Sequence, residues 1–310
     1  MNIDISVIIL NYNSAEFTID CIKSIQEKTS SDLNYELIVV DNASTIEDYQ
    51  KLKSFIEKIN SANIRLVRSK INTGFGTGNM HGVQYANGDY YAFVNNDTLL
   101  QNDCLQIGLN FLKENNTLIC SPQQYDEEGN VKKSFDHFLT LKRELIGRKL
   151  LEKSNPKKYP KRKKVYDTPI AVQSVPGSFM IVEREAFDAA GGFDTNIFLY
   201  YEETDLCYRI AKQHKNRDIC FLVPEARYTH FTGKSTKAGV AIAKELKISL
   251  FYVLKKNSGF IPYLILKWYL SFKYLLKAPF KAKNLALFKL IIKGAPLSES
   301  LKHQQVILNK

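Results

Sequence analysis

The sequence of 310 residues is 45% hydrophobic and 24% charged, which is typical of a globular protein with one large domain and an appendage, or with two smaller domains. The five cysteines form no Cys-x-x-Cys pair, which argues against a disulfide framework or a zinc knuckle and favours a reducing compartment. The first residues contain no basic stretch followed by an apolar run, so we expect no signal peptide and an intracellular protein.

The net charge of +11 is distributed unevenly along the chain. Residues 1–141 carry −7 and residues 165–243 carry −2, whereas residues 142–164 carry +9 and residues 244–293 carry +10. Two basic segments outside an acidic body indicate an anionic surface as a partner, and they exclude a generally cationic enzyme.

Strand and helix patterns alternate over the first hundred residues. Runs of apolar, β-branched residues predict buried strands at 5–10, 35–40, 64–67 and 90–94. Apolar residues at helical spacing predict helices at 15–27, 48–59 and 75–86. This alternation predicts an α/β fold in which a mostly parallel central sheet has helices on both faces.

The middle of the chain is less regular. Residues 123–168 show no clear strand and are rich in Lys and Pro, which predicts a basic insertion or a mobile loop at about 125–168. Regular structure is predicted to resume with strands at 170–175, 179–182 and 218–223 and with helices at 185–190 and 203–214.

The C-terminal region at 244–293 contains eleven lysines interleaved with aromatic residues. Its longest uncharged run, 257–266, is too short to span a bilayer. We therefore predict a basic, mainly helical segment at 241–310 that lies in a membrane interface and follows a larger α/β domain at 1–240.

Polar residues stand where predicted strands end. Asn11, Asp41 and Asp97 each follow a buried strand, and ligands of such sheets bind beyond the carboxyl ends of the strands. A second polar group, Glu202, Glu203 and Asp205, precedes a predicted helix. Solvated first-turn acids would explain that cluster alone. Together with a metal-binding strand end, however, a carboxylate base is what group transfer from a nucleotide donor requires.

Six motifs in a fixed order resemble those of a known family: residues 6–13, 39–44 (Val-Val-Asp-Asn-Ala-Ser), 72–76 (Asn-Thr-Gly-Phe-Gly), 95–97 (Asn-Asn-Asp), 177–180 (Gly-Ser-Phe-Met) and 201–206 (Tyr-Glu-Glu-Thr-Asp-Leu). Over about residues 3–235 the chain resembles the family 2 glycosyltransferases of the GT-A fold. Its closest resemblance is to the rhamnosyltransferase-like branch. The resemblance implies a Rossmann-like catalytic domain, a nucleotide-sugar donor and a divalent metal, Mg²⁺ or Mn²⁺.

The resemblance also implies roles for individual residues. Asp41 corresponds to the carboxylate that binds the nucleotide base, and Asp97 and His230 correspond to metal ligands. Asn95 stands where the family usually has the first Asp of its Asp-x-Asp signature, which removes one charge near the diphosphate. The implied nucleotide-sugar-binding residues are Asn11, Tyr12, Asn13, Asp41, Asn42, Asn72, Gly74, Gly76, Asn95 and Asn96.

For catalysis, the resemblance implies inversion at the anomeric centre with Glu203 as the general base. Glu202 and Asp205 would orient that base or bind acceptor hydroxyls. The expected donor is dTDP-rhamnose or a UDP-sugar, and the expected acceptor is a saccharide, polyprenyl-linked, used for bacterial surface polysaccharide. We expect a cytoplasmic protein that is peripheral at the inner face of the membrane, with a homodimer as an option.

Other functions fit the sequence less well. A dinucleotide-dependent oxidoreductase needs a third glycine where Asn79 follows Gly74 and Gly76, and its glycine motif should follow the first strand. A sugar nucleotidylyltransferase needs a loop rich in glycine and arginine after that strand. A non-enzymatic membrane- or nucleic-acid-binding protein would explain the basic segments but not the polar strand ends, so we expect no nucleic acid partner.

Overall fold

The computed structural model describes residues 3–215, 217–231 and 239–307. Within them the strands are β1 (Ile5–Asn11), β2 (Tyr35–Asp41), β3 (Ile64–Arg68), β4 (Tyr90–Asn95), β5 (Thr98–Leu100), β6 (Ile119–Tyr125), β7 (Ile170–Ala171), β8 (Phe179–Glu183) and β9 (Cys220–His230). The helices are α1 (Ala15–Lys28), α2 (Ile46–Ile59), α3 (Phe75–Val83), α4 (Cys104–Glu114), α5 (Leu141–Ile146), α6 (Arg148–Ser154), α7 (Arg184–Ala189), α8 (Glu202–Gln213), α9 (Val240–Ser258), α10 (Phe260–Lys277) and α11 (Ala282–Ile292). Residues 232–235, at the end of the family resemblance, and 308–310, at the end of the predicted C-terminal segment, lie outside the described residues.

The strands form one mixed sheet in the order β3-β2-β1-β4-β8-β6-β9-β5, and β7 pairs with β9. The strands β3, β2, β1 and β4 run parallel, whereas β8 is antiparallel to both of its neighbours. The predicted α/β architecture is confirmed, but the sheet is mixed: beyond the first four strands, β6 and β9 pair in parallel, whereas β5 and β7 are antiparallel to β9. The first four strands are parallel neighbours because each is joined to the next by a single crossover helix.

Apolar side chains cover both faces of the sheet. Along β1, Val7 and Ile9 belong to the cluster that includes α1 and α4, while Ile8 belongs to the cluster that includes α8. This alternation is the two-residue period of a strand. The helices on both faces, as predicted, leave the carboxyl ends of β1, β2 and β4 as one polar edge.

The basic insertion is folded, in contrast to the mobile loop that its composition allowed. It contains α5 and α6, and its side chains His137 and Arg143 are fully buried. Asp136 accepts hydrogen bonds from Arg148 at 2.8 Å and forms an ion pair with Arg162 at 3.3 Å. Part of this core is built from ion pairs, which leave no apolar periodicity in the sequence.

The C-terminal region is mainly helical, as predicted, and packs on the rest of the protein. Phe251 and Leu254 of α9 share an apolar cluster with Leu139 of the insertion and Ile197 of the segment before α8. Among the described residues, no helix is long and apolar enough to cross a membrane. The segment 241–310 therefore shares part of its core with the catalytic domain.

Candidate active site

A cavity of about 950 Å³ opens at the carboxyl ends of the parallel strands. The ends of β1, β2 and β4, the start of α8 and parts of the insertion and C-terminal region contribute to its wall. Nine residues singled out in the sequence line it: Tyr12, Asn42, Asn72, Gly74, Asn95, Asn96, Glu202, Glu203 and His230. The edge of the sheet and the acidic helix start, which are far apart in the sequence, therefore face one space.

Behind the cavity, Asn11 and Asp41 tie the ends of β1 and β2 together. The Asn11 amide nitrogen lies 3.1 Å from Asp41 Oδ1 and 2.9 Å from Asp48 Oδ2. Asp41 is fully buried, and Arg68 Nε lies 3.2 Å from its Oδ2. Burial raises the pKa of Asp41, although these hydrogen bonds and Arg68 oppose the shift. In this structure both side chains support the loops of the site from behind its surface.

The loop after β1 is held by hydrogen bonds to the loop after β2. The backbone nitrogen of Asn13 donates to Ser44 Oγ at 2.9 Å, and its side-chain oxygen accepts from the nitrogen of Thr45 at 2.8 Å. Asn13 has a φ of 51°, a left-handed conformation that Asn tolerates better than most residues. With the loop held in this conformation, the Tyr12 side chain lines the cavity and is 42% exposed.

Glycine is required where the loop before α3 approaches the segment before α8. Gly74 has a φ of 81°, and a Cβ there would lie 2.2 Å from the carbonyl oxygen of Phe198. The Asn42 amide nitrogen donates to Asn72 at 3.0 Å and to the carbonyl oxygen of Gly74 at 3.2 Å. A Cβ at Gly76 would lie 3.6 Å from that of Glu202. Gly74 therefore lets the loop before α3 lie against the segment before α8, and α3 lies beside the acidic start of α8.

Asp97 and His230 form the candidate metal site. Pairing of β5 with β9 places Thr98 opposite His230, so that His230 Nε2 lies 3.0 Å from Asp97 Oδ1. Asp97 is 3% exposed, and apart from His230 no donor of the described residues lies within hydrogen-bond reach of its Oδ1. Two adjacent ligands of an octahedral Mg²⁺, each about 2.1 Å from it, are about 3.0 Å apart. The two side chains therefore fit a divalent ion.

Asn95 and Asn96, which precede Asp97, have different hydrogen-bond partners. Asn95 Nδ2 lies 3.4 Å from His230 Nε2, whereas Asn96 Nδ2 donates to Ser14 Oγ at 2.7 Å and to Thr18 Oγ1 at 2.9 Å. No cluster of three or more His, Cys, Asp or Glu with metal-binding geometry occurs among the described residues. A metal held by Asp97 and His230 therefore needs oxygen ligands from the donor and from water, as Mg²⁺ commonly has.

A strained turn delivers the two glutamates. Tyr200 and Tyr201 have φ values of 75° and 69°, a left-handed backbone that is costly for bulky residues and clusters at functional sites. Immediately after them, Glu202 and Glu203 begin α8 and line the cavity. The left-handed conformation of this turn therefore determines the direction in which Glu202 and Glu203 point.

Burial perturbs both carboxyl groups. It raises the pKa of Glu202 well above its usual value, and the charge of Glu203 adds to the shift. Burial also raises the pKa of Glu203, to about 7, with a further contribution from Asp136, while Arg143 opposes it. A group with a pKa near neutrality is suited to proton transfer.

Asp205 lies apart from the cavity. It is fully buried, and its carboxylate accepts hydrogen bonds from Arg209 at 2.8 Å, Lys256 at 2.9 Å and Asn257 at 3.1 Å. Two of these partners belong to the C-terminal region. The carboxylate therefore joins α8 to the end of α9, whereas its two acidic neighbours face the cavity.

Further lining residues were not singled out in the sequence. They come from the loop after β1, the end of β6, the insertion, the segment before α8 and the C-terminal region, and they include Ser14, Gln124, Lys132, Lys133, Phe198, Leu199, Ile242, Leu301 and Gln305. The adjacent lysines were visible as a pair, but nothing local connected them with the strand ends. Only the fold brings them to the cavity.

A model of glycosyl transferase family 2 matches residues 6–191 of the chain. The chain belongs to this family. The Asn-Asn-Asp strand end lies inside the matched region, whereas the acidic start of α8 follows it. Family membership favours a nucleotide-sugar-dependent glycosyltransferase over the oxidoreductase and over the non-enzymatic binder.

Relatives and solved structures agree with this assignment. An uncharacterized glycosyltransferase of Rickettsia bellii is 34% identical over 134 residues, which are 43% of this chain and 19% of that protein. A low-salt glycan biosynthesis hexosyltransferase of Haloferax volcanii is 28% identical over 225 residues, which are 71% of this chain and 66% of that protein. The chain thus spans about a fifth of the length of the Rickettsia relative.

The fold is shared with a mannosyltransferase of Pyrobaculum calidifontis whose structure contains GDP-Man and Mn²⁺. The match has a TM-score of 0.59 at 14% identity and covers 96% of this chain and 87% of the other. The predicted GT-A fold is confirmed, while assignment to the rhamnosyltransferase-like branch stays a prediction.

Proposed function

We propose that this member of family 2 is an inverting, metal-dependent glycosyltransferase in which Glu203 removes a proton from the acceptor hydroxyl. The observation that carries the proposal is the position of Glu203 in the cavity wall, with a pKa raised to about 7. At neutral pH a substantial fraction of this carboxyl is ionised, yet it binds a proton more strongly than an exposed glutamate.

The donor occupies the part of the cavity nearest the strand ends. The exposed ring of Tyr12 suits stacking on a nucleotide base, and Asn42 and Asn72 supply polar groups beside it. Asn11 and Asp41 serve the donor by fixing the strand ends from behind. A dTDP-sugar such as dTDP-rhamnose, or a UDP-sugar, is the donor of this proposal.

Asp97 and His230 hold Mg²⁺ or Mn²⁺ in this proposal. When bound, the ion neutralises the negative charge that develops on the departing diphosphate. Asn95 cannot supply a second carboxylate, so the protein contributes one negative charge to this site. The relative positions of Asp97 and His230 are fixed by the β5–β9 pairing.

The acceptor hydroxyl attacks the anomeric carbon from the side opposite the diphosphate. The new C–O bond forms as the bond to the diphosphate oxygen breaks, and Glu203 takes the hydroxyl proton. A single displacement of this kind inverts the anomeric configuration. Burial raises the pKa of Glu202, and in its protonated form this carboxyl can donate a hydrogen bond to a sugar hydroxyl. Asp205 acts as an anchor that orients α8.

The proposed acceptor is a polyprenyl-linked saccharide at the inner face of the cell membrane, used for surface polysaccharide. Two features support it. The C-terminal region combines a charge of +10 at 244–293 with many aromatic residues. Leu301 and Gln305 from that region line the cavity, so the basic region and the reaction site are adjacent.

The substitution Glu203→Gln tests the proposal. It keeps the size of the side chain but removes the base, so turnover should fall by roughly 10²–10⁴-fold while nucleotide-sugar binding is kept. Turnover is measured with a panel of dTDP- and UDP-sugars, and binding by calorimetry. Glu225→Gln, on an exposed position of β9, is the matched control and should behave like the wild type. Near-normal turnover of Glu203→Gln would falsify the assignment and shift the base to Glu202.

A further inference from the structure

We propose that one exposed face of α10 docks the protein on an anionic lipid membrane. This face, the apolar stripe, consists of Ile261, Ile265, Trp268, Phe272, Leu275 and Leu276. The inference deepens the proposed function, on which it rests for its purpose, because a membrane surface is where a lipid-linked acceptor is presented.

The stripe is continuous along the helix. From Ile261 to Leu275 its members follow at intervals of three and four residues, and Leu276 lies four residues after Phe272. This spacing places them on one side of a helix that turns 100° per residue. Ile261 is 71% exposed, Phe272 64% and Leu276 58%. Single exposed apolar residues are ordinary, but a row of large ones over four turns is typical of an interaction surface.

The other side of α10 is already packed. Leu266 is fully buried and Leu270 nearly so, in the same cluster as residues of α9 and α11. Because that side supplies the helix with its contacts to the core, the stripe is additional apolar surface. It continues into the turn after α10, where Phe280 is 79% exposed.

Positive charge surrounds the stripe. Residues 259–293 contain seven lysines and no acidic residue. By helix geometry Lys267 and Lys273 lie on opposite sides of the stripe. Their ammonium groups lie 5.3 Å from the ring of Trp268 and 5.9 Å from the ring of Tyr269. Aromatic rings beside long cationic side chains suit the boundary between acyl chains and headgroups.

These charges favour lipid over a second copy of the chain. In a two-fold symmetric dimer the stripe would face itself, which would bring lysines against lysines with no acid between residues 259 and 293 to pair with them. An anionic membrane offers the complementary charge and an apolar layer beneath it. No described helix can cross the bilayer, so α10 would lie along the interface.

Docking by α10 also places the reaction site near the lipid. Only Gly259 separates α10 from α9, and Lys256 of α9 contacts Asp205 in the first turn of α8. Ile242, at the start of α9, lines the cavity. The helix that contacts the membrane in this proposal is thus joined to α9, which contributes to the wall of the cavity.

Co-sedimentation of the full chain with vesicles tests the proposal. We expect binding to phosphatidylcholine vesicles that contain phosphatidylglycerol, weaker binding to phosphatidylcholine alone, and weakening by salt. The double variant Trp268→Ser/Phe272→Ser should lose about tenfold or more of the binding, since it removes two exposed anchors. The matched control Ile46→Ser/Val165→Ser removes exposed apolar side chains elsewhere and should bind like the wild type.

Three results would overturn the proposal. The first is vesicle binding by the stripe variant that equals that of the wild type, and the second is no vesicle binding by the wild type. The third is a dimeric wild type that becomes monomeric in the stripe variant, as measured by light scattering, which would assign the stripe to a second copy. Since vesicle binding needs neither donor nor turnover, it can fail while the Glu203→Gln result stands, and the reverse also holds.

Discussion

Glu203 and Asp205, two positions apart in the sequence, differ in the charges that surround them. Glu203 lines the cavity and forms no ion pair within the part of the chain that the structure describes, whereas Asp205 forms ion pairs with Arg209 and Lys256. The charge of Arg143 only partly offsets the effect of burial on the pKa of Glu203. Burial without a close cation leaves a basic carboxylate, whereas burial with two cations gives a structural ion pair.

The pH dependence of the reaction should report the pKa of Glu203. Because only the ionised carboxyl is a base, kcat/KM should rise with pH to a midpoint near 7, instead of near the usual 4.5 of a glutamate. The measurement is kcat/KM at saturating metal over a range of buffers. A midpoint near 4.5, or an unchanged profile in Glu203→Gln, would contradict it.

The raised pKa of Glu203 also makes stability depend on pH, but stability falls with rising pH whereas kcat/KM rises. Between about 4.5 and 7 the folded protein holds the Glu203 proton more tightly than the unfolded chain does. This group therefore favours the folded state at acidic pH, and its contribution is lost as the pH rises through 7. Glu203→Gln should remove that pH dependence in denaturant titrations.

Asp97 should be required for metal-dependent donor binding. Asp97→Asn keeps the shape but removes the negative charge, so calorimetry with Mn²⁺ and a nucleoside diphosphate should show at least about tenfold weaker metal binding. His230→Ala should weaken binding less, since Asp97 and the diphosphate remain. Asp20→Asn, on an exposed position of α1, is the control. Wild-type metal affinity in Asp97→Asn would show that the ion binds elsewhere.

At the scale of elements, α9 supports the start of α8 through several contacts. Lys256 Nζ bridges Asp194 at 2.7 Å and Asp205 at 2.9 Å. The Tyr252 hydroxyl donates to Asp194 at 2.8 Å, and Ser249 Oγ donates to the carbonyl oxygen of Leu199 at 2.7 Å. These contacts hold the strained turn before Glu202 from the C-terminal side.

Lys256 should therefore act as a positioning residue. Lys256→Met leaves two carboxylates short of a partner, which should lower the free energy of unfolding by about 1–3 kcal/mol. It should also lower kcat more than it raises KM, because the acidic pair loses support while the donor loops do not. Lys289→Met, on an exposed position of α11, is the control. A loss of stability with unchanged kcat would limit Lys256 to a structural role, and Lys256→Arg should restore kcat if charge is what matters.

At the scale of the whole molecule, the apolar cluster that contains Phe251 and Leu254 joins the C-terminal helices to the catalytic domain. Leu139 and Ile197 from the domain pack with Phe251 and Leu254 of α9. The five cysteines are buried and free, so no disulfide contributes to this connection. Apolar contacts and the ion pairs of Lys256 hold the two parts together.

We therefore expect the two parts to unfold together. Phe251→Ala, at a position that is 1% exposed, should lower the free energy of unfolding by about 3–5 kcal/mol. Hydrogen exchange should show the same loss of protection in β1 as in α9. Phe260→Ala, at a position that is 57% exposed, serves as the control. Destabilised α9 amides beside unchanged β1 amides would show that the C-terminal region is an independent unit.

Local patterns in the sequence determined the parallel half of the sheet and its polar edge. Buried runs at 5–10, 35–40 and 90–94 agree with β1, β2 and β4, because a strand covered on both faces must be apolar throughout. The elements β5, α4 and β6 were not predicted. The strand β5 is only three residues long, and β6 contains polar residues that are buried by its neighbours.

Only the tertiary structure decided which polar residues face the cavity. The sequence placed Asn11, Asp41, Glu203 and Asp205 near functional motifs, but whether each faces the cavity or another side chain depends on neighbours distant in the chain. Lys256 lies beside Asp205 although 51 positions separate them, and the insertion and C-terminal region complete the wall. The periodicity of a strand or helix predicts which side chains are buried, whereas the partner that each one meets depends on how the elements pack.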